Sequence, residues 1–160
     1  MIYFYFFLSV ISLICINGLG SYYFGKLLSD GLVISIIPKI LNLKYVENTG
    51  AAFGILSSKP LLITIFNILI LLALTIYVLI KIKDFSKSGY IFSIILIISG
   101  GFGNIIDRMI NGYVTDYFEF AFISFPVFNF ADIFITVGAF LLLIKLLIDF
   151  IKESKKDESK

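Results

Sequence analysis

Four short polar clusters stand out in an otherwise apolar sequence: Asn48-Thr-Gly-Ala-Ala-Phe53, Gly103-Asn-Ile-Ile-Asp-Arg108, Val114-Thr-Asp-Tyr-Phe118 and Phe128-Asn-Phe-Ala-Asp132. No histidine occurs in the 160 residues. This excludes imidazole bases, Ser-His-Asp triads, Cys-His dyads and nearly every catalytic zinc site. Acid–base work is left to carboxylates, lysines and tyrosines. Asp116 has aromatic neighbours and no lysine or arginine close in sequence, so a simple ion pair does not account for it. Asp132 could cap a helix, because an aspartate there accepts backbone N–H bonds and suits the positive end of the dipole. As a pair the two have a further use. Carboxylates sharing a partly apolar site cannot both ionise easily, so one keeps a proton while the other acts as a base. That is the arrangement of an aspartic protease, in which the ionised group activates a water against a peptide carbonyl and the protonated group meets the oxyanion. It requires neither metal nor cofactor.

The amides of Asn48, Asn104 and Asn129 could fix an extended peptide backbone or orient the aspartates, although asparagine in a membrane helix also serves as interhelical glue. Asp107 and Arg108 have each other as partners, or each could pin a neighbouring helix end, and Asp107 reads as structural. Arg108 also suits a substrate carbonyl or a lipid phosphate. Gly101-Phe-Gly103 lacks the third glycine and the preceding strand of a nucleotide loop. Asn48-Thr-Gly50 is not a glycosylation sequon.

The elements that must position these groups follow from composition. With 59% hydrophobic and 15% charged residues and a mean hydropathy of +1.03, the chain has more apolar surface than a soluble domain can bury. Stretches without acidic residues at mid-membrane depth give four spans at about 3–25, 61–80, 88–106 and 132–151, each near the 20 or so residues a bilayer-crossing helix needs. The first lacks the basic start and short apolar run of a cleaved leader and reads as retained. Outer loops fall at 26–60 and 107–131, an inner loop at 81–87 and a charged, disordered tail at 152–160. Within the first outer loop, Leu32–Ile37 and Ile40–Val46, broken by Pro38, have the β-branched character of short strands. The second, rich in Phe, reads as an interfacial platform. The expected fold is an all-α membrane protein, one domain over 1–160, with four transmembrane helices and a small extracytoplasmic β-sheet platform.

Lys81, Lys83 and Lys87 in the short loop, with Lys152, Lys155, Lys156 and Lys160 in the tail, put both termini in the cytoplasm by the positive-inside rule. All four polar clusters then lie at the extracytoplasmic face. The net charge of +2 comes mainly from these lysines and fits an anionic leaflet, with no nucleic-acid partner. Cys15, the single cysteine, reads as a small buried hydrophobe.

Taken together, the clusters resemble the lipoprotein signal peptidases, or signal peptidase II, small bacterial aspartic proteases of the inner membrane. Asn48-Thr-Gly-Ala-Ala-Phe53 is similar to that family's Asn-x-Gly-Ala-Ala-Phe block, and Gly103-Asn104 with Asp107-Arg108 to its Gly-Asn-x-x-Asp-Arg block. Val114-x-Asp116 and Phe128-Asn129-x-Ala131-Asp132 follow in the family's order. The resemblance implies that Asp116 and Asp132 are catalytic, that Asn48, Gly50, Asn104, Arg108 and Asn129 line the substrate groove, and that Asp107 gives support. It implies cleavage of prolipoprotein signal peptides before a diacylglyceryl-modified cysteine, contact with membrane lipids, and sensitivity to globomycin-like cyclic peptides. Where the family commonly has Asp-Gln-x-x-Lys near the end of the first span, the chain has Tyr22-Tyr-Phe-Gly-Lys26, which leaves Lys26 as the supporting residue there.

The rival reading is a small proton- or cation-coupled transporter subunit using the same aspartates. It predicts charges near the bilayer midplane, whereas here they gather at one end of the spans. A purely structural subunit has no need of two unpaired carboxylates, and the Gly-x-Gly-Asp signature of presenilin-like proteases is absent.

Overall fold

The computed structural model describes residues 1–50 and 60–158. Helix α1 (Ile2–Leu28) leads into an antiparallel hairpin of β1 (Val33–Ile37) and β2 (Leu41–Asn48). Helices α2 (Pro60–Ser88) and α3 (Ile91–Asn111) follow, then β3 (Val114–Phe120) and α4 (Phe130–Glu158). All four helices are long and apolar enough to cross a membrane.

Half of the most apolar stretch of α3 is buried inside the protein, against 6% of that of α4, so α3 is the central helix and α4 presents most of its surface to lipid. Phe140, Leu143, Leu147 and Phe150 along α4 are all exposed. Lipid is as apolar as these side chains, so cohesion depends on close packing rather than on escape from water. Gly100 of α3 provides such packing: a Cβ there would run into the Ala131 carbonyl and reach within 2.8 Å of Ile135 on α4. One apolar core joins Phe6 and Val10 of α1, Val78 and Ile82 of α2, and Ile94, Ile95 and Ile98 of α3. A second joins Leu28, Leu43 and Tyr117, with Phe24, Phe118 and Phe130 packed on it. It fastens the sheet to the end of α1 and the start of α4.

The two short strands expected on either side of Pro38 are present and pair as a hairpin, turning through Lys39 at a φ of 63°. A third strand was not expected. β3 lies in the stretch read as an aromatic platform and pairs with β2, giving the order β1-β2-β3. Its first four residues are all buried, so the alternation that betrays a strand is missing.

Several boundaries also differ from the hydropathy reading. Lys81 and Lys83 mark the edge of the apolar stretch, but α2 continues as a helix to Ser88, so the whole of the expected inner loop at 81–87 is helical. The expected disordered tail likewise continues α4 to Glu158. Asp107 and Arg108 belong to the last turns of α3, which is capped by Gly112, whose N–H bonds back to the Arg108 carbonyl. Cys15 is exposed on α1 rather than buried.

Candidate active site

Antiparallel pairing sets Val46 opposite Asp116 and Asn48 opposite Val114. The end of β2 therefore lies beside the start of β3. The Nδ2 of Asn48 donates to Asp116 Oδ2 at 2.9 Å, and its Oδ1 accepts from the Gly50 N–H at 3.0 Å. Beyond Gly50 the chain leaves the described residues, so Ala51, Ala52 and Phe53 of the first cluster lie outside them.

Asn129 is the residue before α4, and its side chain works in three directions. Its Oδ1 accepts from the Asp132 N–H at 3.0 Å while Asp132 Oδ2 accepts from the Asn129 N–H at 3.2 Å. This reciprocal cap satisfies donors that a helix start otherwise leaves unpaired. The expected capping role of Asp132 is thus real, and it uses one carboxylate oxygen. The Nδ2 of Asn129 donates to Asp116 Oδ1 at 2.8 Å and to Asn104 Oδ1 at 3.1 Å. Asn104, on α3, completes the ring by donating to Asp132 Oδ1 at 2.9 Å. A single asparagine therefore touches both aspartates, and among the described residues every hydrogen bond to their carboxylates comes from a neutral amide.

Asp116 is 1% exposed and Asp132 half-buried, so the pair opens outward on the Asp132 side. Burial, with the nearby charge of Asp132, pushes the Asp116 carboxyl up to about 7 against the opposing pull of the Asn48 and Asn129 amides and Arg108.

Arg108 is not ion-paired with Asp107. Its Nη2 donates to the Gly50 carbonyl at 2.6 Å and its Nη1 to the Asn104 carbonyl at 3.3 Å. Its buried Nε has no partner among the described residues. Asp107 instead pins a neighbouring helix, as the second of its two expected roles requires: Ser21 of α1 donates to its Oδ2 at 2.9 Å.

The structure thus brings together Asn48, Gly50, Asn104, Arg108, Asp116, Asn129 and Asp132, with Asp107 one turn from Asn104. Lys26 does not join them. It is exposed and makes no side-chain hydrogen bond or ion pair with the cluster among the described residues. Sequence reasoning passed over Asn17, Ser21 and Tyr117. Asn17, 1% exposed on α1, accepts from the Ala131 N–H at 2.9 Å. Asn17 and Ser21 are four residues apart, hence on one helix face, and that spacing of two small polar residues in an uncharged span was the available signal.

Four membrane-length helices that bring two carboxylates together at one end define a multi-pass membrane protein. The chain matches the family described as Signal peptidase (SPase) II over residues 5–148, and it belongs to that family. A lipoprotein signal peptidase of Streptococcus thermophilus is 44% identical over 115 residues, covering 71% of this chain and 73% of its own. One from Clostridioides difficile is 43% identical over 145 residues, covering 88% and 93%. A solved bacterial membrane enzyme, determined by the in meso method at 2.3 Å, superposes with a TM-score of 0.81 at 33% identity, covering 91% of this chain and 88% of that one. Membership of a peptidase family leaves the transport reading without support.

Proposed function

We propose that the protein is an aspartic endopeptidase that removes signal peptides from prolipoproteins, cutting before a cysteine that carries diacylglycerol, with Asp116 and Asp132 as its catalytic residues. The observation that carries the reading is the hydrogen bonding of Asn129 to both carboxylates. It couples them through neutral groups and leaves their proton for chemistry. The pair holds one proton near neutral pH. Its ionised member takes a proton from a water, whose oxygen attacks the scissile carbonyl carbon. The protonated member stabilises the tetrahedral oxyanion, and as the C–N bond breaks a proton passes to the leaving amine. The substrate groove is formed by Asn48, Gly50, Asn104, Arg108 and Asn129. In it the Nε of Arg108, without a partner among the described residues, is a ready donor to a substrate carbonyl, and Asp107 supports the groove from α3. Membrane lipids surround the single integral domain, and globomycin-like cyclic peptides occupy the groove as inhibitors.

Both termini are cytoplasmic and the aspartates extracytoplasmic in the bacterial inner membrane. The lysines support this orientation: Lys81, Lys83, Lys87, Lys152, Lys155 and Lys156 belong to the ends of α2 and α4 away from the sheet. The decisive measurement is cleavage of a diacylglyceryl-modified prolipoprotein by the purified chain. Asp116→Asn and Asp132→Asn are each expected to abolish turnover in a protein that remains folded, and full activity in either variant would refute the pairing.

A further inference from the structure

Resting on that assignment of the two aspartates, we infer that Tyr117 is a positioning residue whose hydroxyl sets the strand carrying Asp116 against the helix carrying Asp132. Tyr117 follows Asp116 directly on β3 and is completely buried. Its hydroxyl oxygen accepts from the N–H of Phe130, the first residue of α4, at 3.2 Å. That N–H belongs to the set that no helix can satisfy internally. The backbone alongside is stitched as well: the N–H groups of Tyr117 and Phe118 donate to the Phe128 carbonyl at 3.0 and 2.8 Å, and the Phe128 N–H donates to the Phe118 carbonyl at 3.0 Å. These backbone bonds tie the strand to the approach to α4, and among the described residues the phenol makes this strand's hydrogen bond into the helix itself. Burial holds the phenol above its usual range, so the oxygen remains a neutral hydroxyl.

The ring is wedged rather than loosely buried. It packs against Phe24 of α1 at 4.7 Å between centroids and edge-on to Phe130 at 5.8 Å. On α1 the hydroxyl faces Gly20, where a Cβ would lie 2.5 Å from it and 2.8 Å from the Phe130 ring. Neighbouring Asn17 takes the next N–H of α4, that of Ala131. Helix α1 thus provides a smooth site at Gly20 that admits the phenol and an acceptor at Asn17 that completes the anchoring of α4. Removing the hydroxyl leaves the ring packing intact and frees the start of α4 to shift relative to β3. The separation of the two carboxylates depends on that relation.

The test is Tyr117→Phe in the purified full chain, with a synthetic prolipoprotein peptide bearing a diacylglyceryl cysteine as substrate. The expected result is a kcat lower by roughly tenfold with KM unchanged, since small misplacement of reacting groups costs rate rather than ground-state binding. The acid and basic limbs of the pH–rate profile should also move toward one another, because a wider pair interacts less. Gly20→Ala, which displaces the same hydroxyl from the other side, should give the same signature. Its effect in the Tyr117→Phe background should be smaller than its effect alone. Wild-type kcat in Tyr117→Phe, or a loss accompanied by an unmoved pH profile in both single variants, would overturn the inference. Asp116→Asn, measured in parallel, keeps the two readings apart: if it too retains turnover, the assignment of the aspartates has failed rather than the role of Tyr117.

Discussion

At one end of α4, Asp149 accepts from Lys145 at 2.6 and 2.9 Å and from the Tyr90 hydroxyl at 2.7 Å. At the other end, roughly 25 Å away along the helix, Asp132 accepts from Asn104 and from a backbone N–H. Both carboxylates are partly buried near lipid, yet they are settled in opposite ways. A cation beside Asp149 fixes it as an anion, and the Lys145 ammonium, lying 5.4 Å from the Tyr90 ring centroid, latches α4 to the turn between α2 and α3. Amides beside Asp132 and Asp116 hold the oxygens in place without cancelling their charge. On the proposed assignment, the same side chain is structural where a cation fixes its charge and serves proton transfer where amides fix its position.

Importing a cation into the amide-held site is the most drastic way to break this contrast. Asn104→Lys places an ammonium against Asp132, and kcat should fall by about a thousandfold or more while the protein still elutes as a folded species in detergent. Retained turnover would mean that neutral partners are not what the site requires.

Proton occupancy gives the next largest effect. With Asp116 held at about 7, the rate above that pH should fall by about tenfold per unit as the pair loses its last proton. A profile flat to pH 9 would remove the need for a protonated partner. Stability follows the same group. Its value in the unfolded chain is about 3.9, so the folded chain binds the extra proton between that value and 7. The contribution is full below about pH 4 and is lost as the pH rises through 7. Melting curves in detergent should therefore show a lower midpoint at pH 8 than at pH 5.

The smallest effect belongs to the latch. Asp149→Asn should change activity by less than about threefold and stability by about 1 kcal/mol or less, the scale of a partly exposed ion pair. A large loss of activity there would show that the two ends of α4 are not independent.

Much of this arrangement was legible before any coordinates. The four spans, the two strands flanking Pro38, the cap at Asp132 and the convergence of the polar clusters follow from hydropathy, β-branched runs, capping chemistry and the cost of charge near lipid. What escaped did so for physical reasons. β3 is buried on both faces at its start, so it lacks a period of two. The ends of α2 and α4 extend past the apolar stretch because hydropathy records the edge of the bilayer, whereas helices end where capping and packing end them. Asn17, Ser21 and Tyr117 carry no charge and gain significance only from what they touch across the fold. Arg108 and Asp107 are neighbours in sequence yet make their contacts apart, with Gly50 on one side and Ser21 on the other.

The central place of α3 has a consequence for how the protein is made. This helix carries Asn104, Asp107 and Arg108, and in the finished fold these are covered by α1, α4 and the sheet. While the chain is still being inserted, α3 reaches the bilayer before α4 exists, with the Asn104 amide lacking the Asp132 and Asn129 groups it bonds in the finished fold. Such a segment is expected to linger at the insertion machinery until α4 arrives to shield it. Chains truncated before Phe130 should therefore remain crosslinkable to that machinery, whereas full-length chains partition into the membrane.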